Sequence, residues 1–457
     1  MTISAVSFQT VNNSGDQIII TPLAIHPWRQ RLNTIGQRTI ILGISFLLAL
    51  MPFHAAWVVI AGTAWGQPSL IAIWKEVLLV ILLGLAATMV VINRSYQKFN
   101  RLDSWLVVGI IGCGLVSSLL NRQFGLVFLA GIKTTILPLL AFLLAQTVNH
   151  RLRDRQLAWL LLVPAFIVSG LALWQFFFIP TGFLQSLGYT AQTILPLQGV
   201  HPDFDFYRSF ATLGGPNQLG TYLIIPATVF LAYAINSKAR LMRIVSSLGY
   251  VGVVLASMTT FSRSALLGLV VASFVVVIVS APRRWRWWII AVTFLALMVI
   301  ALTASLITTQ SSTSPIGRFL VRGDVTESGI QGGDSGHIVA VQEGWRQVRA
   351  HPLGLGIGSA GPASFFGQRP LITENWYLQI ALETGWLGLL LILVLYGHIM
   401  LESRRTRSHA PLHTALIAAF SGLMIASFFL HSLADSTVAY LLMLMAGIIV
   451  GRRGHHA

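Results

Sequence analysis

Long apolar runs separated by short polar connections set the pattern of this chain. "NTIGQRTIILGISFLLAL" passes Arg38 and then carries no charge. A helix needs roughly 20 apolar residues to cross a bilayer, because each residue rises only about 1.5 Å. Runs of about that length lie at 38–60, 70–93, 103–121, 126–148, 156–179, 216–236, 243–260, 264–281, 286–307, 376–401, 412–430 and 433–451. The pattern predicts an all-α polytopic membrane protein with about twelve transmembrane helices and a long extracytoplasmic loop.

The connections alternate in charge. Arg29, Arg31 and Arg38 precede the first run, and "NRSYQKFNR", "NHRLRDR", "NSKARLMR", "APRRWRWW", "ESRRTRSHA" and "GRRGHHA" fall after every second run. Lysine and arginine accumulate on the cytoplasmic side of membrane proteins, so this alternation puts both termini there. The expected organisation is a cytoplasmic segment 1–37, nine helices over 38–307, a loop at 308–375, three helices over 376–451 and a tail 452–457. The residues before the first run lack the apolar core and cleavage site of a signal peptide. The opposite face carries two long connections, 180–215 and 308–375. Within the second, "HIVAVQEGWRQVRA" places Ile338, Val341, Trp345 and Val348 at helical spacing, which predicts a short amphipathic helix near the membrane surface. "HPLGLGIGSAG" follows and should end it.

Composition sharpens this picture. The chain has 457 residues, 55% hydrophobic and 10% charged, with mean hydropathy +0.75. Soluble domains carry roughly 25% charged residues. A net charge of +16 would suggest nucleic acid in a soluble protein. Here the arginines sit between apolar runs, no basic helix with interleaved aromatics is present, and no nucleic-acid partner is expected. The single cysteine, Cys113, excludes an intrachain disulfide framework. Walker, dinucleotide and Gly-x-Ser-x-Gly fingerprints are absent, and no His, Asp or Glu set has metal-ligand spacing. The sequence therefore predicts neither cofactor nor metal.

Charged residues near the outer helix ends carry the candidate chemistry, since charge near a bilayer is costly. Arg208 lies in "YRSFATLGGPNQLGTY", where glycines and a proline precede a helix, an arrangement suited to an anion. Arg263 lies in "TTFSRSALLG", at a sharp turn between two runs. Two guanidinium forks on one face suit phosphate oxygens. Glu374 opens "ENWYLQIALETGWLGLL", either as a helix-capping charge or as a general base that takes a proton from an attacking hydroxyl. His337 is a second candidate for that base. Asn217, Asn375, Arg346, Arg349, Lys75 and Lys133 complete the candidate set, with Lys75 and Glu76 a local ion pair. Glu383 is expected to be structural and paired with an intramembrane cation. His431 and Asp435 are four apart before the last helix and too few to make a metal site.

Taken together, "YRSFATLGGPNQLG", "TFSRSALLGL", "HPLGLGIGSAG" and "ENWYLQIALETGWLGLL", in this order and on this face, resemble the O-antigen ligase superfamily. It comprises lipid A-core:O-antigen ligases, O-antigen polymerases and protein O-oligosaccharyltransferases. The resemblance is strongest over 200–400. It implies a bacterial inner-membrane glycosyltransferase acting on the outer face, inverting and metal-independent. The implied donor is an undecaprenyl-diphosphate-linked glycan and the acceptor a hydroxyl of a glycan, lipid or protein. Arg208 and Arg263 match the arginines that bind the diphosphate in the ligases. Glu374 stands where the ligases carry a histidine, with Asn375 and Gly385 in register. The alternative from another class is a transporter of a small anion such as bicarbonate, which a twelve-helix chain with buried charges also suits.

Overall fold

The computed structural model describes residues 8–11, 17–20, 27–66, 68–93, 101–148, 152–201, 204–288, 290–291, 334–406 and 410–451. Among these, nine helices are long and apolar enough to cross a membrane, and Pro411–Ala426 and Ser436–Val450 are shorter apolar helices. They correspond one to one with the predicted runs other than 286–307, most of which lies outside the described residues, as do 308–333 and the tail 452–457. The protein is an all-α polytopic membrane protein. Among the described residues the strands form two short antiparallel hairpins, Phe8–Val11 with Gln17–Ile20 (β1, β2) and Gly199–His201 with Phe204–Tyr207 (β3, β4).

The helices are α1 (Pro27–Leu50), α2 (His54–Trp65), α3 (Pro68–Ala72), α4 (Trp74–Asn93), α5 (Arg101–Leu120), α6 (Leu126–Gly131), α7 (Leu137–Gln146), α8 (Asp154–Phe178) and α9 (Thr181–Ser186). Then come α10 (Pro216–Asn236), α11 (Arg240–Thr259), α12 (Arg263–Ser280), α13 (Asp334–Ala350), α14 (Trp376–Thr406), α15 (Pro411–Ala426) and α16 (Ser436–Val450). A 3₁₀ turn at Met51–Phe53 separates α1 from α2, and a five-residue π-helix, Ile132–Ile136, joins α6 to α7.

Apolar side chains cover this bundle outside as well as inside. On α11, Leu241, Ile244, Leu248, Val251, Leu255 and Met258 form an exposed stripe at alternating three- and four-residue steps. Ser246, Gly249, Val253, Ala256 and Ser257 on the same helix are buried. An apolar stripe of this length is stable where lipid covers it. The opposite extreme is α16, buried without interruption from Thr437 to Val450. Small residues let its neighbours approach: a Cβ on Gly447 would collide with the Phe142 carbonyl of α7.

The predicted run 376–401 is not one regular helix. Gly385 interrupts α14 with φ 73° and ψ 175°. The segment 351–361 fills the gap, and Gly354, Gly356, Gly358 and Gly361 all have positive φ. Trp386 N–H donates to the Pro352 carbonyl at 3.2 Å, and Leu355 N–H donates to the Leu382 carbonyl. On the other side, Asn121 donates to the Gly354 carbonyl at 3.0 Å, and Ile357 N–H donates to Ser118 Oγ at 2.9 Å. Irregular backbone inside a membrane bundle must find its partners within the protein, and this segment does so. "HPLGLGIGSAG" thus ends the amphipathic helix, as expected, and also wedges between α5, α6 and α14. α13 itself buries Val348 and half-buries Val341, while Ile338 and Trp345 stay exposed, so only half of its predicted apolar face packs on the bundle.

Gly385→Ala is expected to lower the apparent Tm of the purified protein clearly. A Cβ there would sit 2.9 Å from the Leu353 carbonyl carbon, in a positive-φ, extended-ψ conformation nearly confined to glycine that costs roughly 1–3 kcal/mol. Gly170→Ala, on α8 with open space around its Cα, is the control and should be neutral or mildly stabilising.

Candidate functional site

A cavity of about 430 Å³ opens at one end of the bundle, where the N-terminal ends of α10, α14 and α16 meet the π-helix. Its polar wall includes Lys133, Asn217, Gln218, Glu374, His431 and Asp435. Phe366, Ala363 and Leu430 supply an apolar side. α10 enters with Pro at its first turn, and no side chain caps it, so its leading N–H groups face the same space as Asn217 and Gln218. Such an end carries partial positive charge.

Arg208 follows β4 and reaches this cavity indirectly. Its Nε donates to the Thr260 carbonyl and its Nη2 to Asn217 Oδ1, both at 2.8 Å. Ser209 N–H donates to the Thr259 carbonyl at 2.9 Å. The guanidinium therefore rests on the turn between α11 and α12. Phe261 is left-handed there (φ 51°), Ser262 precedes the helix, and exposed Arg263 is its first residue. Arg208 and Arg263 are 55 positions apart in sequence and three residues apart across this contact.

Glu374 sits at the cavity in a left-handed conformation, φ 50°. That is uncommon for a residue with a side chain and costs roughly 1–2 kcal/mol unless the surroundings enforce it. Asn375 caps α14: its Oδ1 accepts Leu378 N–H and its Nδ2 donates to the Phe428 carbonyl, both at 3.0 Å. The Glu374 carboxylate approaches His337. Its Oε2 lies 3.7 Å from His337 Nδ1, and the two side chains are 32% and 40% exposed, open enough for a substrate to reach.

Behind Glu374 lies a line of polar groups that starts at half-buried His431 and ends at buried Gln379 and Glu383. Glu374 N–H donates to His431 Nε2 at 3.2 Å, and His431 Nδ1 lies 2.8 Å from Gln379 Oε1. Gln379 Nε2 donates to Glu383 Oε1 at 3.0 Å, and Thr135 Oγ1 donates to Glu383 Oε2 at 2.6 Å. Gly358 N–H also reaches the Glu383 carboxylate. The expected cationic partner of Glu383 is thus replaced by neutral donors. Sequence reasoning set His431 and Asp435 aside and did not single out Gln379. The four-residue step from Gln379 to Glu383, one helix face carrying two polar side chains in an apolar run, was the available signal.

Residues 248–393 match the family model described as O-antigen ligase. Over that stretch, about a third of the chain, the protein is similar to the O-antigen ligases. The match supports a membrane enzyme that transfers or ligates glycan. No curated protein matches the chain. The matched ligase segment carries Arg263, His337, Glu374, Gln379 and Glu383, whereas Arg208, Lys133 and His431 lie outside it.

The other candidates divide. Lys133 faces the cavity with its side chain 34% exposed, 3.5 Å from Glu76 Oε1. Lys75 turns inward instead, fully buried, 3.1 Å from Glu76 and 2.7 Å from His54 Nε2; the expected Lys75–Glu76 pair is present. Arg346 is paired with Glu343 on the exposed face of α13, and Arg349 stacks over Trp345 at 5.0 Å. Neither lines the cavity. Among the described residues no group of three or more His, Cys, Asp or Glu could hold a metal ion.

Burial, and then the neighbouring His337, push the His431 pKa down from 6.5 to about 4. Its proton is disfavoured in the folded state, so the unfolded chain binds it first as pH falls. Stability from this group is complete above about pH 6.5 and is lost as pH falls towards about 4, by at most roughly 3 kcal/mol. Wild-type apparent Tm should therefore fall through that window more steeply than that of His431→Gln. Glu374, His337 and Asp435 lie around the same ring, and the difference between the two melting series isolates the histidine. Parallel series would contradict this assignment.

Proposed function

We propose that this enzyme transfers glycan from an undecaprenyl-diphosphate donor to an acceptor hydroxyl at the cavity, on the outer face of the membrane. One observation carries the reading: a carboxylate held in a left-handed turn, Glu374, shares a single cavity with Lys133 and the uncapped start of α10, to which Asn217 tethers Arg208. The donor diphosphate would lie against Arg208, Arg263, Lys133 and the α10 N–H groups, which stabilise the charge that grows as it leaves. Glu374 takes the acceptor proton while the acceptor oxygen bonds to the anomeric carbon. The bond from that carbon to the diphosphate oxygen breaks, and undecaprenyl diphosphate departs. Attack opposite the leaving group inverts the anomeric centre. The alternation of basic connections supports the outer-face placement, since the helix ends that form the cavity are the ones without them. The wide apolar side at Phe366 and Leu430 suits a lipid-linked donor.

The carrier alternative has one structural feature in its favour, the discontinuity of α14. There the freed Trp386 N–H and Leu382 carbonyl are taken by the 351–361 segment, so the gap offers no open site to a small anion.

Glu374→Gln keeps shape and loses proton affinity. Transfer from purified lipid-linked donor should fall roughly 10²–10⁴-fold, with donor binding and expression retained. Full activity in this variant would transfer the role to His337. Arg208→Lys and Arg263→Lys should each lower turnover by roughly tenfold or more, because lysine lacks the bidentate fork. Near-normal turnover in both lysine variants would remove the diphosphate clamp.

A further inference from the structure

We propose that His431, Gln379 and Glu383 are positioning residues, forming a one-way hydrogen-bond chain that fixes the turn at Glu374 and so aims its carboxylate. The role given to the turn rests on Glu374 being the base proposed above; the direction of the chain does not.

The direction follows from donor and acceptor chemistry. A peptide N–H can only donate, so His431 Nε2 accepts from Glu374. A neutral imidazole that accepts at Nε2 carries its hydrogen on Nδ1. Nδ1–H therefore donates to Gln379 Oε1 at 2.8 Å. That fixes the amide: its oxygen faces the histidine and its nitrogen faces Glu383 Oε1 at 3.0 Å. An ionised carboxylate only accepts, and Glu383 receives Gln379, Thr135 and Gly358 without having to donate. Every bond points from the cavity to one buried acceptor. The far end is set by the π-helix and the glycine segment, two elements that do not touch Glu374 through these bonds.

An acceptor at the far end is thus a condition on the near end. Placing an amide nitrogen opposite Gln379 turns that amide round and asks His431 Nδ1 to accept. Its Nε2 would then carry hydrogen and oppose Glu374 N–H, releasing the left-handed turn. The chain would be restored by exchanging the two end groups. A carboxylate at 379 still accepts from His431 and now also from residue 383, while an amide oxygen at 383 still accepts from Thr135.

The experiment uses the full chain in lipid nanodiscs. In ¹⁵N-histidine-labelled wild type, His431 should titrate as the Nδ1–H tautomer with a bare Nε2, assigned by loss of its signals in His431→Gln. The Nε2–H tautomer in wild type would overturn the direction of the chain, whatever Glu374 does. Glu383→Gln should reduce kcat about 10–100-fold, with the donor KM within about threefold of wild type. The exchanged pair Gln379→Glu with Glu383→Gln should recover at least about fivefold of that loss. A merely structural Glu383 would give a variant that loses folded yield and is not rescued by the exchange. Wild-type kcat in Glu383→Gln, or an exchanged pair no better than the single variant, would overturn the positioning role.

Discussion

A carboxylate buried without solvent inside a membrane bundle is the constraint on which the rest of this structure turns. Glu383 has no exposed surface. An isolated charge in such a place is very costly, and only hydrogen bonds from its surroundings make it tolerable. The donors come from three different segments: Gln379 one turn earlier on α14, Thr135 on the π-helix and the backbone of Gly358. Satisfying one side chain thereby fixes the mutual position of three elements. The break at Gly385 lies two residues further on, where the same glycine segment enters α14. A Cβ on Gly358 would come within 2.1 Å of the Val127 carbonyl, so the segment is pressed onto α6 as it delivers its N–H. The cavity wall rests on this arrangement.

Charge is distributed around the cavity with a similar economy. Lys75 and Lys133 both approach Glu76 Oε1, yet only Lys133 keeps a third of its side chain accessible. Glu76 therefore holds one cation inside and orients the other towards the open space. Arg208 is held through the Thr260 carbonyl and the Asn217 amide oxygen, and these two bonds fix its rotamer.

The spans were legible because lipid imposes length and apolarity on every crossing segment, and both are visible in one dimension. α10 begins at Pro216 and α12 at Arg263, at or within one residue of the expected starts. Arg208, Arg263, Glu374 and Asn375 stood out because polar groups at helix ends are rare in such a chain. Interruptions were not legible in the same way. Gly385 reads as an ordinary small residue within an apolar run, and its positive-φ backbone is imposed by Pro352 and Leu355 from another segment. His431 needed its neighbours too: its partners lie 57 and 52 positions away, and no local spacing announces them. Glu383 was noticed but given a cation, because charge pairing is the simplest remedy for burial and three neutral donors cannot be counted from sequence.

The π-helix at Ile132–Ile136 has a consequence for how this chain tolerates change in length. Its wider turn accommodates one residue more than an α-helix would, so Lys133 and Thr134 face the cavity while Thr135 reaches Glu383. The extra residue is absorbed inside the turn. Removing one residue here would tighten the turn to α-helical winding and leave α6 and α7 in nearly the same phase. Phe142 would stay beside Gly447, and α16 would keep the surface against which it is buried. What would be lost is the spacing that gives Lys133 and Thr134 to the cavity and Thr135 to Glu383, so the residue count of this turn belongs to the site and not to the bundle.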